Sequence, residues 1–175
     1  MSKLIASLMI GAGALITPCA PAAAIVLGPH AAACEASGKP ALLVKVVGLK
    51  ARTGLIRVQT YGGDPAHYFD KGSYIERVEV PTPATGTVEI CMPVPRTGAY
   101  AISVRHDVSG HGGSTDLTDG GGMSGNPSIS LMDVMFKRRP SPVQVQVQVE
   151  NGVKPVPIVM NYVRGGGFGP IPNAR

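Results

Sequence analysis

The chain contains few aromatic side chains: its 175 residues include no tryptophan, three phenylalanines and five tyrosines. Its cations are also dispersed, since the formal net charge of +5 is spread along the sequence and only Lys137-Arg138-Arg139 forms a cluster. Proteins that bind nucleic acid need a dense basic surface or aromatic rings that stack on bases. The sequence therefore argues against a nucleic-acid partner. We interpret the cluster as a solvated strand end, with binding to an anionic surface as the alternative.

Long amphipathic helices are missing as well. After residue 24, no helix-length segment shows an apolar pattern with a 3.6-residue period, and no repeat has the length of a solenoid or propeller unit. A parallel α/β sheet needs long crossover connections, usually helices, between its strands. The sequence therefore predicts an all-β fold.

The uncharged apolar run at residues 4–16 is shorter than the roughly 20 residues of a membrane-spanning helix. Lys3 precedes this run, and small residues ending at Ala22-Ala23-Ala24 follow it as an A-x-A cleavage site. We predict a signal peptide over residues 1–24, a periplasmic or secreted location, and no transmembrane span after cleavage. A lipid anchor at Cys19 is the alternative.

Cleavage at that site leaves two cysteines, Cys34 and Cys91. In the strand pattern around residue 90, Val88, Ile90 and Met92 would face the core. Cys91 would then lie on the opposite face, where the segment that carries Cys34 could cross it. Since exported proteins form disulfides readily, we predict a Cys34–Cys91 bond, with two free thiols or an intermolecular bridge as alternatives.

Alternating apolar and polar residues predict about seven strands. They lie near residues 42–47, 56–60, 75–80, 87–92, 100–105, 143–149 and 153–162. A turn at Thr53-Gly54 is expected to join the first two as a hairpin, and Asn151-Gly152 to join the last two. Pro155 and Pro157 place the last strand at an edge or a bulge.

Two further segments have their own signals. Asn126-Pro127 suits the N-cap and first position of a short helical turn over residues 128–135. Residues 165–175 are rich in Gly and Pro and predict a disordered tail. The fold class is thus a single antiparallel β-sandwich over residues 41–164. We expect an N-terminal segment at residues 25–40 and a long, flexible glycine-rich loop that continues through Gly120-Gly121-Gly122.

The strand that begins near Gly98 has the clearest structural residues. Gly98 permits a sharp entry into the strand, and the ring of Tyr100 can fill the edge of the core. The Tyr100 hydroxyl can reach a nearby backbone group, as tyrosines near sandwich corners do. We assign both residues a structural role.

The order of the motifs resembles the bacterial family catalogued as domain of unknown function 2141. The resemblance covers residues 41–164 and rests on residues 43–49, Thr53-Gly54, residues 97–101 and residues 104–107. It implies an exported single-domain β-sandwich of prealbumin-like or immunoglobulin-like type, without an established activity.

Family members follow the His-Asp pair with a calcium-loop-like run of Asn and Gly that ends in another Asp. Here Asp107 matches the start of that run, His111 stands where the family has Asn, and Asp116 lies one position late. The resemblance thus implies Ca²⁺ as a candidate ligand of the loop oxygens. The residues themselves also allow a transition-metal site built from His106, Asp107, His111 and either Asp116 or Asp119. The preferred interpretation is that His106 and Asp107 bond to local backbone.

The sequence lacks a Gly-x-Ser-x-Gly nucleophile elbow, and its two remaining cysteines suit a bridge better than catalysis. We therefore predict an exported, non-catalytic β-sandwich module without a cofactor. It would bind an unknown envelope or extracellular partner, or have a structural role in the cell envelope. The alternative is a metal-binding or hydrolytic domain centred on the loop at His106-Asp107.

Overall fold

The structure is a computed structural model that describes residues 25–35, 38–112 and 116–172. The predicted signal peptide, residues 1–24, lies outside the described residues. Two β-sheets form most of the described chain and enclose one apolar core between them. The predicted all-β sandwich is confirmed.

The described residues form eleven strands. They are β1 (Val26–Leu27), β2 (Ala41–Val47), β3 (Leu55–Tyr61), β4 (Tyr74–Pro81), β5 (Val88–Pro93), β6 (Gly98–Asp107), β7 (Gly120–Met123), β8 (Val147–Val149), β9 (Val153–Val159), β10 (Asn161–Arg164) and β11 (Gly167–Pro170). The helices are α1 (Ala31–Glu35), α2 (Leu131–Met135) and α3 (Pro142–Val145), and a 3-10 turn lies at Pro65–His67. The strands exceed the predicted seven because β1, β7 and β11 are too short or too rich in glycine to show apolar alternation, and the last predicted strand divides into β9 and β10.

The smaller sheet has the order β1-β5-β2-β9. Its central strand β2 pairs antiparallel with β5 and parallel with β9. Strand β9 is an edge, so the missing N–H groups of Pro155 and Pro157 cost no hydrogen bond on its outer side. This confirms the edge position predicted from the two prolines.

The larger sheet has the order β11-β10-β7-β6-β3-β4, and all of its pairs are antiparallel. Strand β8 pairs with the first residues of β6, from Gly98 to Tyr100. At ten residues, β6 is the longest strand and has neighbours on both sides. Its end at Asp107 places the candidate loop beside β7 and next to the turn before β3.

Alternate residues of both sheets fill the core. The fully buried aliphatic and methionine side chains are Leu42, Val44, Ile56, Val58, Ile90, Met92, Ile102, Ile158 and Met160. A second, smaller cluster lies on the outer face of the large sheet and contains Tyr61, Tyr68, Ala101 and Val145. The 3-10 turn and α3 therefore cover part of that outer face, and the remainder is left open.

The predicted disulfide is confirmed. Cys34 and Cys91 form a disulfide, which fastens α1 to the outer face of β5. The Tyr100 hydroxyl donates a hydrogen bond of 2.7 Å to the carbonyl of Arg96. Gly98, at the entry to β6, has a φ of +147°, a conformation that L side chains rarely adopt.

Both predicted hairpins are wrong. β2 and β3 belong to different sheets, so residues 48–54 cross from one layer to the other. β8 pairs with β6 while β9 pairs with β2, so the turn at Asn151-Gly152 also joins the two layers. A turn signal fixes where a chain reverses, but the partner of each strand depends on which sheet buries its apolar face.

The predicted strand at residues 143–149 is correct only for its last three residues. Residues Pro142–Val145 form α3, since Pro142 occupies the first turn and the Gln144 side chain accepts a hydrogen bond from the backbone N–H of Ser141. Val145 is buried in the outer cluster. The alternating pattern of valine and glutamine therefore does not decide the conformation of residues 142–145.

Three smaller predictions also need correction. The helical turn near residues 128–135 exists as α2, but its N-cap is Ser130, which exchanges hydrogen bonds with Asp133, and Asn126 has a φ of +48°. The glycines that were expected to make the loop flexible form strand β7. The tail is also not wholly disordered, because β11 pairs with β10 at residues that the sequence assigns to a tail.

Candidate functional site

His106 faces the core and is fully buried. Its Nε2 lies 2.9 Å from the carbonyl oxygen of Thr53, and its Nδ1 lies 2.6 Å from the hydroxyl of Tyr162. A carbonyl only accepts, so Nε2 carries the proton and Nδ1 accepts from the tyrosine. The Tyr162 oxygen in turn accepts from the backbone N–H of Lys50 at 3.1 Å.

Burial sets the protonation of this network. It lowers the pKa of His106, against the opposing effect of its bond to Thr53, and it raises the pKa of Tyr162 to about 12. Both groups are therefore neutral at pH 7, and both nitrogens of the imidazole are occupied. The network fastens the residue 48–54 crossover to β6 and β10.

Asp107 points the opposite way, to the outer face of the large sheet. Its carboxylate accepts hydrogen bonds from the backbone N–H groups of Gly110 at 2.8 Å and Gly112 at 2.7 Å, and from the hydroxyl of Ser109 at 3.2 Å. Burial alone would raise the pKa of Asp107, but these three donors and nearby Arg105 outweigh it and lower the pKa. The carboxylate closes the start of the loop on itself.

The other two acids of the loop also bond within it. One Asp119 oxygen accepts from Arg105 at 2.8 Å, while the other accepts from the backbone N–H of Val108. Asp116 accepts from the backbone and hydroxyl of Thr118, and these bonds lower the pKa of Asp116. The acids thus organise the loop and anchor it to β6.

The five predicted site residues do not converge on one point. His106 lies on the inner face of β6, Asp107 and Asp119 lie on the outer side beside Arg105, and the side chain of His111 is exposed. Among residues 25–35, 38–112 and 116–172, no group of three or more His, Cys, Asp or Glu side chains is close enough to hold a metal ion. Asp107 bonds to local backbone, as the preferred interpretation expects, whereas His106 bonds to the distant Thr53 carbonyl and to the Tyr162 side chain.

A different feature of the same face has the shape of a binding site. A cleft of about 740 Å³ lies on the outer face of the large sheet, over strands β6, β7 and β10. We call it the glycine-floored cleft. Its floor is formed by Ser103, Arg105, Gly121, Met123 and Val163.

The walls of the glycine-floored cleft come from separate parts of the chain. Leu117, together with Asp116 and Asp119, forms the wall on the side of the loop. The facing wall is formed by Phe69 and by the segment that contains α2. A largely apolar interior with a few charged groups is typical of small-molecule sites.

The three glycines of β7 have different reasons for lacking a side chain. A Cβ on Gly120 would collide with the Tyr162 ring, and one on Gly122 would lie 2.6 Å from Cγ2 of Ile158. A Cβ on Gly121 would meet only the Phe168 ring, at 3.9 Å. Core packing therefore requires Gly120 and Gly122, whereas Gly121 leaves bare backbone exposed to the cleft.

This cleft is not among the sites predicted from the sequence. Its signal was present in the run Gly120-Gly121-Gly122, which is unusual inside a strand because glycine weakens strands and often marks close approach of a ligand. The contributions of Phe69, Val163 and Phe168 had no comparable signal, because these residues lie far from β7 along the chain.

Comparison with known proteins gives one match. The model of a family described as an uncharacterized protein conserved in bacteria (DUF2141) matches residues 44–156, from β2 into β9. The matched segment includes the candidate loop and most of the cleft. No curated protein and no solved structure matches the chain.

Proposed function

The chain belongs to the uncharacterised bacterial family DUF2141, and from this premise we propose that it is an exported, non-catalytic module that binds a small, largely apolar ligand in the glycine-floored cleft. The Cys34–Cys91 disulfide supports an oxidising compartment such as the periplasm or the extracellular space. No helix in the described ranges is long and apolar enough to cross a membrane.

The observation that carries the proposal is the bare backbone at Gly121. A glycine inside a strand costs about 0.5–1 kcal/mol relative to alanine. Neighbouring side chains do not require this glycine, since its Cβ would find only ordinary contact with Phe168. A ligand that lies directly on the strand, in the space that a side chain would fill, explains why glycine is present despite the lower stability.

The chemistry of the lining selects for an apolar ligand body. Met123, Val163 and Phe168 meet at the floor, and Leu117 stands 75% exposed at the rim, where a ligand could cover it. The charged side chain of the floor, Arg105, is already bonded to Asp119 at 2.8 Å. We therefore expect Lys137 and Arg138, the cations of the far wall, to select ligands that carry an anionic group.

The position of His106 supports a non-catalytic role. The imidazole is separated from the cleft by the sheet itself, and both ring nitrogens are engaged by Thr53 and Tyr162. A general base needs a free nitrogen within reach of the substrate.

Titration with 1-anilinonaphthalene-8-sulfonate, which combines an apolar ring system with one anionic group, tests the proposal. We expect saturable fluorescence enhancement with the native chain. Gly121→Val should weaken binding at least about tenfold, because the added side chain fills the floor of the cleft and removes apolar contact area.

Gly169→Val is the matched control. Gly169 also lies in a strand of the large sheet, a Cβ there would meet nothing within 4 Å, and the residue does not line the cleft. It should bind the probe like the native chain. Equal affinity of Gly121→Val and the native chain, with both folded by circular dichroism, would show that the cleft is not the binding site.

A further inference from the structure

The short helix α2 carries an unusual concentration of exposed apolar side chains. Met132 is 52% exposed, Val134 42%, Met135 64% and Phe136 60%. We call these four residues the apolar ridge. Isolated exposed apolar residues are ordinary, but a contiguous group marks a surface that another apolar phase covers.

The helix that carries the ridge is held in place. The side chain of Ser130 accepts from the backbone N–H of Asp133, and the Asp133 side chain accepts in return from the backbone of Ser130. Arg139, just beyond the ridge, bonds to Asp70 and to the carbonyl of Tyr68 beside the outer cluster. The ridge is therefore presented from a fixed position and not from a loose loop.

Cations follow the ridge directly. Lys137 has a φ of +52°, which turns the chain immediately after Phe136, and Arg138 lies with its guanidinium 5.5 Å from the centre of the Phe136 ring. Arg138 has one distant ion pair, at 3.9 Å from Asp133, and Lys137 has none among the residues the structure describes. Asp133 is the only acid between residues 126 and 140.

Exposed apolar side chains beside a net positive charge are the combination by which proteins attach to the surface of an anionic bilayer. The apolar groups enter the boundary between headgroups and acyl chains, while the cations remain at the level of the phosphates. We propose that the apolar ridge, together with Lys137 and Arg138, attaches this protein to anionic phospholipid membranes. The charge of the turn favours a lipid surface over an apolar protein partner.

The absence of tryptophan provides a direct test, because a single introduced tryptophan becomes the only indole fluorophore of the chain. Phe136→Trp places this reporter on the ridge, and Val143→Trp is the matched control, since Val143 is 85% exposed but lies outside the ridge. With phosphatidylglycerol–phosphatidylcholine vesicles we expect a blue shift for Phe136→Trp and none for Val143→Trp. Pure phosphatidylcholine vesicles should shift neither.

Sedimentation of the native chain with the same vesicles measures the strength of attachment. The double variant Met135→Gln/Phe136→Ser should reduce the partition coefficient of the protein between vesicles and water at least about tenfold. Each apolar side chain that the bilayer buries stabilises the bound state. Lys137→Gln/Arg138→Gln should weaken binding and remove most of its salt dependence. Val143→Ser should bind like the native chain.

Lys137 and Arg138 also line the glycine-floored cleft, but Met135 and Phe136 do not, so variants at these two residues let the membrane test and the dye-binding test fail separately. An unchanged emission maximum of Phe136→Trp on anionic vesicles would overturn the proposal. Equal binding to neutral vesicles, or equal shifts at residues 136 and 143, would also overturn it. Concentration-dependent self-association that the double variant abolishes, without vesicle binding, would instead assign the ridge to contact between copies of the chain.

Discussion

At the scale of single residues, His106 shows why a histidine at the end of a strand need not be a metal ligand. Its place in the alternation of β6 puts it inward, where desolvation opposes a charge. Asp107, one residue later, faces outward and collects backbone donors from its own loop. Adjacent residues in an extended strand therefore serve two separate networks, and a pair that looks like a site in the sequence is divided by the sheet.

The pH dependence of stability should reveal the buried His106. The pKa of His106 in the folded chain lies below its unfolded value of about 6.5. Between these two values, His106 is largely protonated in the unfolded chain and largely neutral in the folded chain. The stability that this difference contributes is present above the unfolded pKa and is lost as pH falls from there toward the folded pKa. Ring NMR signals of His106 should accordingly remain those of the neutral Nε2–H tautomer to a lower pH than those of an exposed histidine.

His106→Gln serves as the comparison for the stability measurement, because its amide can still donate to Thr53 but does not titrate. Urea unfolding at about pH 7.5 and about pH 5.5 should show a smaller loss of stability in this variant than in the native chain. An ordinary titration of the His106 ring near pH 6.5 would contradict the burial argument.

Removal of the Tyr162 hydroxyl should be costly. Tyr162→Phe leaves Nδ1 of His106 and the backbone N–H of Lys50 without their partner inside the protein. We expect a loss of about 1–3 kcal/mol in the free energy of unfolding, measured in urea. Tyr74→Phe, at a partly exposed position, should change it by less than about 0.5 kcal/mol. Equal effects would mean that the network adds no stability.

At the scale of elements, β7 is the least expected strand. It forms because β6 and β10 supply hydrogen-bonding partners on both sides, which compensates for the weak strand preference of glycine. The same three residues serve two surfaces, since Gly120 and Gly122 admit core side chains and Gly121 opens the cleft.

Alanine substitutions should separate these two roles. Gly122→Ala brings a Cβ within 2.6 Å of Ile158 and 2.9 Å of the Val159 carbonyl, and overpacking of this kind costs about 1–3 kcal/mol. Gly121→Ala should be neutral or stabilising by up to about 1 kcal/mol, because alanine loses less backbone freedom on folding. Thermal melts measure the stability of both variants. A larger loss of stability in Gly121→Ala than in Gly122→Ala would contradict the assignment of Gly122 to the core and Gly121 to the cleft.

At the scale of the whole molecule, the Cys34–Cys91 bond ties the first described residues to the small sheet. The closed loop spans a sequence separation of 57 residues, which includes β2, β3 and β4. In the unfolded chain, the bond therefore restricts the conformations of segments that belong to both sheets of the folded protein.

Loss of this bond should lower stability substantially. The chain-entropy relation gives about 4 kcal/mol for a loop of this length. Cys34→Ala/Cys91→Ala should show that loss in urea unfolding, and dithiothreitol should reproduce it in the native chain without affecting the variant. If dithiothreitol leaves the stability of the native chain unchanged, the bond contributes nothing.

The sequence by itself determined the β class, the disulfide, the core-facing position of Val88, Ile90 and Met92, and the family resemblance. These depend on period-two alternation and on short motifs, which are local properties of the chain. It could not determine which sheet receives each strand, so the hairpins at residues 54 and 152 were assigned wrongly. Nor could local pattern show that residues 143–145 turn into a helix to bury Val145.

Only the tertiary structure decided the candidate sites. The cleft exists because the segment from β6 to α2 meets Phe69, Val163 and Phe168, which lie elsewhere along the chain, on one outer face. The exposure of Met135 and Phe136 likewise depends on what the remainder of the fold leaves uncovered. Burial, unlike alternation, is a property of the assembled layers, and for that reason these surfaces could not be predicted from the order of residues.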